Sequence, residues 1–461
     1  MAESLRHVCI MSEQVNDGKL GLLSATTMLI GGMIGSAIFS LSGLTMAVAG
    51  PASVLSWLIA ALVMLLYGMI ISELASIFPR SGGLYIFPAK AFGGKAGQIW
   101  GWLSCWGGCI TNCIAVAFSA IYVSTYLGVS IPALNNLQVP LAVGSVALCL
   151  ILNAINFSTT GKINNVLVGF MALAMLVFVA VGFFGGQFDG SIITPFFTQG
   201  SGGASGFLSM VPTAMVGYGS VVSIAFMVSE IRDPNKNVSK SMLIAMVVVT
   251  ALYALTIFAT IGLVSTQFLA ENPGMQYIPL YAACFTTLAG YPWLTAVVTA
   301  AAVLALITTM LVCMALTARS LEAAADDGIL PKPFAKCSDK TGVPLFSTVI
   351  VAIVAGAVAS FPQFTATMVS FGAIFSVFTI VVNIIALMVA RKKNPYVPGN
   401  FRCPGGSAVP VISLILLLIC NASDIINGSW VVWLYTAGCC VVGLIIYFTS
   451  RAGRGLAESK I

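Results

Sequence analysis

Two stretches concentrate the residues from which a binding site could be built. Leu29 to Phe39 carries Gly31, Gly32, Gly35 and Ser36, and Pro212-Thr213-Ala214-Met215-Val216-Gly217-Tyr218-Gly219-Ser220 repeats the pattern. Glycine costs a helix interior about 1 kcal/mol relative to alanine and proline about 3, so both are places where backbone groups come free. A half-helix starting near Gly35 and Ser36 would turn N–H groups and its positive end into a cavity, which suits a carboxylate. Carbonyls freed around Met215 to Gly217, and those before the first break, would accept hydrogen bonds from an ammonium group. Both ends on one small molecule describe an α-amino acid. The expected carboxylate residues are Gly31, Gly32, Met33, Ile34, Gly35, Ser36 and Ala37. The expected amine and gate residues are Thr213, Ala214, Met215, Val216, Gly217 and Tyr218. Glycine is also simply common in membrane helices, with 45 in this chain. Two interrupted stretches at matching positions weigh against that reading.

No cluster suggests covalent chemistry. The lone histidine is His7, and most of the twelve cysteines lie in apolar runs. Cys105, Cys109 and Cys113 share a helical face with Gly101 and Ala117, and small residues at that spacing let membrane helices approach closely. Packing is the expected role; no catalytic residue, metal site or cofactor is expected, and the chain is not read as an enzyme. Glu73 and Glu230 close hydrophobic segments and are expected to pair with Arg80 or Arg232. Asp424 sits near the end of another segment. Thr308 and Thr309 could offer oxygens to a sodium ion, but bonding back to their own helix is the favoured reading.

The elements that must carry these residues follow from composition. Of 461 residues, 59% are hydrophobic and only 7% charged, against about a quarter charged for a soluble domain. A cytosolic enzyme, a disordered chain and a disulfide scaffold are excluded, and an all-α polytopic membrane protein remains. A bilayer core takes about 20 apolar residues per helix. Twelve segments qualify: 20–48, 52–77, 98–127, 138–157, 163–186, 207–230, 241–266, 293–318, 345–360, 364–390, 409–426 and 430–450. All twenty Lys and Arg then fall on one side, in the tails and after the second, fourth, sixth, eighth and tenth spans. Lys and Arg mark cytoplasmic loops, so both termini are expected inside. Matching interrupted helices at spans one and six are the mark of an inverted-repeat transporter. The expected organisation is an N-terminal tail at 1–19, a first five-helix repeat at 20–186 and a second at 207–390. Two more helices occupy 409–450, and a tail occupies 451–461. Within the loop at 267–292, Tyr277 to Leu288 is apolar enough for a short helix over the outer face.

Six ordered motifs carry a family resemblance over essentially the whole chain. They are Gly31 to Phe39 (GGMIGSAIF), Glu73 to Phe92 (ELASIFPRSGGLYIFPAKAF) and Gly161 to Leu167 (GKINNVL). Glu230 to Val238 (EIRDPNKNV), Ala318 to Pro333 (ARSLEAAADDGILPKP) and Asn400 to Pro410 (NFRCPGGSAVP) complete the set. In these the chain resembles the amino acid–polyamine–organocation (APC) superfamily, nearest its basic amino acid and polyamine antiporter-like branch. The resemblance implies the leucine-transporter-like five-plus-five fold, discontinuous helices 1 and 6, and movement of amino acids or amines by alternating access. It places Cys109, Asn112 and Cys313 in the side-chain pocket. It also exposes departures: the antiporter's sixth-helix tryptophan and acid fall on Thr213 and Gly219, its eighth-helix tryptophan on Cys313. Met171 stands where proton-coupled relatives carry a lysine. Cation recognition and lysine-based proton coupling are thereby weakened.

The expected function is secondary active transport of neutral or weakly polar amino acids, as an exchanger or facilitator. A cationic amino acid or polyamine antiporter is one alternative; a non-transporting amino-acid sensor or a channel is another. The expected partners are a small-molecule amino acid and the lipid bilayer, with no nucleic acid and with a homodimer left open. The expected location is the plasma (inner) membrane.

Overall fold

The computed structural model describes residues 20–79, 82–154, 157–197, 204–224, 231–338, 341–393, 401–427 and 429–450. The two tails, Arg80 and Glu230 lie outside these residues, as does the side chain of Asp424. Helix dominates because lipid offers backbone groups no partners, so each segment must close its own hydrogen bonds. Among the described residues the only extended pairing is an isolated bridge between Leu20 and Ile231. Nine helices among them are long and apolar enough to cross a bilayer, and two shorter apolar ones are Leu345–Ala359 and Ala408–Ser423. These eleven overlap eleven of the twelve expected segments. The segment expected at 207–230 is instead divided into short pieces.

In chain order, α1 (Leu22–Met33), α2 (Ser36–Ser40) and α3 (Ser42–Ala49) make an interrupted first segment, followed by α4 (Ser53–Ile77). A short α5 (Gly83–Phe92) leads into the long α6 (Gly94–Ser130), then α7 (Gln138–Ala154) and α8 (Phe157–Phe184). The divided segment holds α9 (Ala204–Ser209), α10 (Val211–Met215) and a 3₁₀ stretch, Val216–Ser223. After it come α11 (Pro234–Ile261), α12 (Thr266–Glu271), α13 (Pro279–Thr286) and the long α14 (Pro292–Asp326). The chain ends with α15 (Leu345–Ala359), α16 (Thr365–Lys393), α17 (Ala408–Asn427) and α18 (Trp430–Thr449). The short helix expected between Tyr277 and Leu288 is α13, whose Pro279 to Cys284 are buried.

The 37-residue α6 and 35-residue α14 pack against each other and form the spine of the bundle. At 1.5 Å per residue α6 is about 55 Å long, well beyond the ~30 Å hydrocarbon core. Its small-residue stripe is a packing surface. The Cys105 Sγ lies 3.5 Å from the Ser320 carbonyl of α14, and a Cβ on Gly101 would sit 2.7 Å from the Tyr85 carbonyl of α5. Van der Waals contact and interhelical hydrogen bonds bind such helices, since lipid is as apolar as the side chains. On an adjacent face, Trp102 and Trp106 of α6 donate their indole N–H groups to the Gly443 and Cys439 carbonyls of α18, at 2.7 and 2.9 Å. The eleven described cysteines are all free thiols.

Candidate functional site

The first segment opens where its glycines predict. Helix α1 stops at Met33, Ile34 turns out of the helix with φ −69° and ψ 82°, Gly35 is extended, and α2 begins at Ser36. Opening a helix inside a bundle leaves its last carbonyls and the next helix's first N–H groups without partners, and neighbouring side chains supply them. Ser220 donates its hydroxyl to the Gly32 carbonyl at 2.7 Å. Tyr253 of α11 donates to the Met33 carbonyl and also lies 3.4 Å from the Gly217 carbonyl. The Ser36 N–H donates to Thr309 Oγ1 of α14 at 3.0 Å. Glycine is needed at 35 for space, because a Cβ there would overlap the Thr309 hydroxyl.

Thr308 and Thr309 both donate to the Ala305 carbonyl at 2.9 Å, so each bonds back to its own helix. Thr309 accepts from Ser36 in addition. Tyr253 is fully buried and packs edge-on to Trp57, ring centroids 5.2 Å apart at 89°. Trp57 donates its indole N–H to Thr45 Oγ1 at 3.0 Å. One aromatic knot from α4 and α11 therefore fixes the end of α1.

The divided segment differs from expectation in kind. After α10 the backbone does not open; it winds tighter, as 3₁₀ helix over eight residues, where runs beyond three or four are uncommon and often mark a hinge. Gly217 lets it pass the Trp57 ring, since a Cβ there would sit 2.6 Å from that ring. Tyr218 is fully buried, its ring 5.4 Å from Tyr253.

Between these segments lies a cavity of about 190 Å³. Gly32, Met33, Gly35, Ser36 and Ala37 line it from the first segment, and Met215 and Val216 from the other. Asn112 of α6 and Cys313 of α14 line it as well. Gly31, Ile34, Ala214, Gly217 and Tyr218 are buried behind this lining, apart from the cavity. Thr213 is half-buried outside it, and Cys109 turns its thiol toward Cys105, Sγ to Sγ 4.0 Å.

Sequence reasoning missed Ser220 and Tyr253 as partners of the break, and Tyr67, Leu84, Phe118 and Asn421 as lining residues. Ser220 ends the quoted glycine-rich stretch and was within reach. Tyr253 lies in an uninterrupted apolar helix, with no local signal. Among the described residues, no Asp, Glu, Lys, Arg or His lines the cavity. Among the described residues no three His, Cys, Asp or Glu side chains gather in a way that could hold a metal ion.

Charge is used elsewhere. Glu73, at the end of α4, takes two hydrogen bonds from Arg391 of α16, from Nε at 2.7 Å and Nη2 at 2.6 Å, and a third from the Cys403 N–H at 2.8 Å. Its described ion-pair partner is thus Arg391 rather than Arg232, because the chain at Cys403 returns to the end of α4; Arg80 lies outside the described residues. Burial, then the nearby Glu73 carboxylate, pushes the Cys403 thiol up to about 11. Close by, the Tyr85 hydroxyl donates to Asp327 Oδ2 at 2.6 Å, and Lys393 Nζ to the Phe92 carbonyl at 2.7 Å.

Comparison with known proteins agrees with this architecture. The family described as "Amino acid permease" matches residues 20–453. The chain is 28% identical over 452 residues to the Branched-chain amino acid permease BcaP of Bacillus subtilis (strain 168), covering 93% of this chain and 92% of that protein. It is 27% identical to the Methylthioribose transporter of the same organism, with the same two coverages. It is 26% identical to the Branched-chain amino acid permease BcaP of Lactococcus lactis subsp. cremoris (strain MG1363), covering 91% of each. An uncharged cavity beside an opened helix, in a bundle of membrane-length helices matched end to end by one family, leads to one assignment: the chain belongs to the amino acid permease family, within the amino acid–polyamine–organocation superfamily, and is a multi-pass membrane protein.

Proposed function

We propose that this permease carries neutral α-amino acids with aliphatic or weakly polar side chains by alternating access, as an exchanger or facilitator. The observation that carries the reading is the cavity lining: backbone of an opened helix on one side and, among the described residues, no Asp, Glu, Lys, Arg or His side chain on any other. Gly35 to Ala37 would receive the carboxylate. The ammonium would face the carbonyl ends of α1 and the divided segment, near Met33 and Met215. Asn112 and Cys313 would border the side chain. A cationic side chain would find no counter-charge in the lining, and an unpaired charge inside a membrane protein is costly. The volume supports a small cargo, since pockets for drug-sized ligands run to roughly 300–1,000 Å³. Relatives named as branched-chain amino acid permeases support the same class.

The reading extends to topology: twelve spans, two inverted five-helix repeats with two further helices, and both termini on the cytoplasmic side of the plasma membrane. Transport needs no covalent step, only a cargo that stabilises one closed state between inward- and outward-open forms. Counterflow in liposomes tests it. Purified protein loaded with leucine should take up labelled leucine, with valine and isoleucine competing and arginine and putrescine failing to compete. Binding without flux would point to a sensor, and competition by the cations would reverse the substrate class.

A further inference from the structure

We infer that Leu84 of α5 sets the upper size of the side chain this cavity admits; the inference rests on the reading of the cavity as the amino-acid site. Among the lining residues, Leu84 is the one supplied by α5, a ten-residue helix that is not itself long enough to span a membrane. Its side chain is 6% exposed and seated in a notch on α6. A Cβ on Gly108, which also lines the cavity, would sit 2.5 Å from Leu84 Cδ1.

The rest of α5 holds Leu84 in that seat. Gly97 and Gly101 of α6 lie against its backbone at Ala89 and Tyr85, close enough that a Cβ on either would collide. The buried Tyr85 hydroxyl ties it to Asp327 at the end of α14, at 2.6 Å, and the Phe92 carbonyl is held by Lys393 of α16, at 2.7 Å. An element fixed along one face and at both ends does not yield to a larger ligand, so the isobutyl group of Leu84 acts as a rigid stop. The opened backbone near Gly35 would read what all α-amino acids share. Leu84 would read how far the side chain reaches.

Two substitutions should move selectivity in opposite directions. Leu84→Ala removes the stop, and Gly108→Ala fills the notch and drives the leucine further into the cavity. The measurement is competition against labelled leucine in counterflow, with alanine, valine, leucine, phenylalanine and tryptophan as competitors. One methylene in an apolar pocket is worth about ten- to two-hundredfold in discrimination, so Leu84→Ala should raise phenylalanine relative to leucine by at least about tenfold. Gly108→Ala should favour alanine and valine over leucine, and the double variant should return toward the starting pattern. If Leu84→Ala fails to accumulate, Leu84→Val should give a smaller shift of the same sign. Active variants with an unchanged competition order would overturn the inference while leaving amino-acid exchange standing. Absence of exchange of any amino acid by the unmodified protein would instead overturn the proposed function, and this inference with it.

Discussion

At the break in the first segment, the Gly32 and Met33 carbonyls are met by single neutral hydroxyls from Ser220 and Tyr253, and the Ser36 N–H by Thr309. At the basic end of α4 and α16, the Glu73 carboxylate takes three hydrogen bonds, two of them from one guanidinium. Both regions bury polar groups inside a helical bundle, but they solve different problems. A neutral hydrogen bond contributes about 0.5–1.5 kcal/mol net, which a ligand can replace group for group. A buried ion pair loses about 3–5 kcal/mol when one partner is removed, because the survivor has nowhere to go. Weak, exchangeable partners suit a place that must alternate between empty and occupied. Strong, mutually dependent ones suit a place that must hold its register.

Breaking the strong region should have the largest effect. Arg391→Leu strands the Glu73 carboxylate and should cost about 3–5 kcal/mol, read as loss of folded protein in a detergent melting curve. Glu73→Leu with Arg391→Leu should recover most of that, since two well-packed apolar residues are often a neutral replacement for a buried pair. A double variant as unstable as the single one would show that the loop contacts, Cys403 N–H to Glu73 and Arg391 Nη1 to the Gly406 carbonyl, rather than the pair, hold this end.

Gly35→Leu should have the next largest effect and should act mainly on transport. Overpacking costs about 1–3 kcal/mol, or roughly five- to a hundredfold, and here it falls where Thr309 touches the opened backbone. The variant should accumulate in the membrane yet lose counterflow; full transport would remove the carboxylate site from the proposal. Tyr253→Phe should be the mildest. It leaves the Met33 carbonyl without this partner, a cost of about 1–3 kcal/mol, and should lower the melting temperature by a few degrees. Unlike Arg391→Leu it should keep measurable exchange, and a loss as large as the ion-pair variant's would erase the distinction between the two regions.

Local signals in the sequence located the break at Ile34–Gly35, because three glycines in five residues weaken a helix wherever they stand. Length and hydropathy located the long helices, because bilayer thickness dictates both. Tertiary partners were beyond reach. Nothing around Tyr253 distinguishes it from other aromatics in an apolar helix, and its role comes from a contact 220 residues away in the chain. Arg391 as the partner of Glu73 was out of reach for the same reason, since it is distant in sequence and near only in space. Of the candidate site residues, Gly32, Met33, Gly35, Ser36 and Ala37 around the break line the cavity while Gly31 and Ile34 lie behind it, and Thr213, Ala214, Gly217 and Tyr218 follow a helical face that turns away from it. Periodicity cannot resolve such a face when the winding changes from 3.6 to 3.0 residues per turn.

That change of winding also changes length. Eight residues of 3₁₀ helix rise about 2.0 Å each, and the same eight as α-helix rise about 1.5 Å each. Val216 to Ser223 is therefore about 4 Å longer than the same residues would be as α-helix. The extra length carries Ser220 to within reach of the Gly32 carbonyl. Along this wall of the cavity the backbone thus covers its distance with about two to three fewer residues than an α-helix would need.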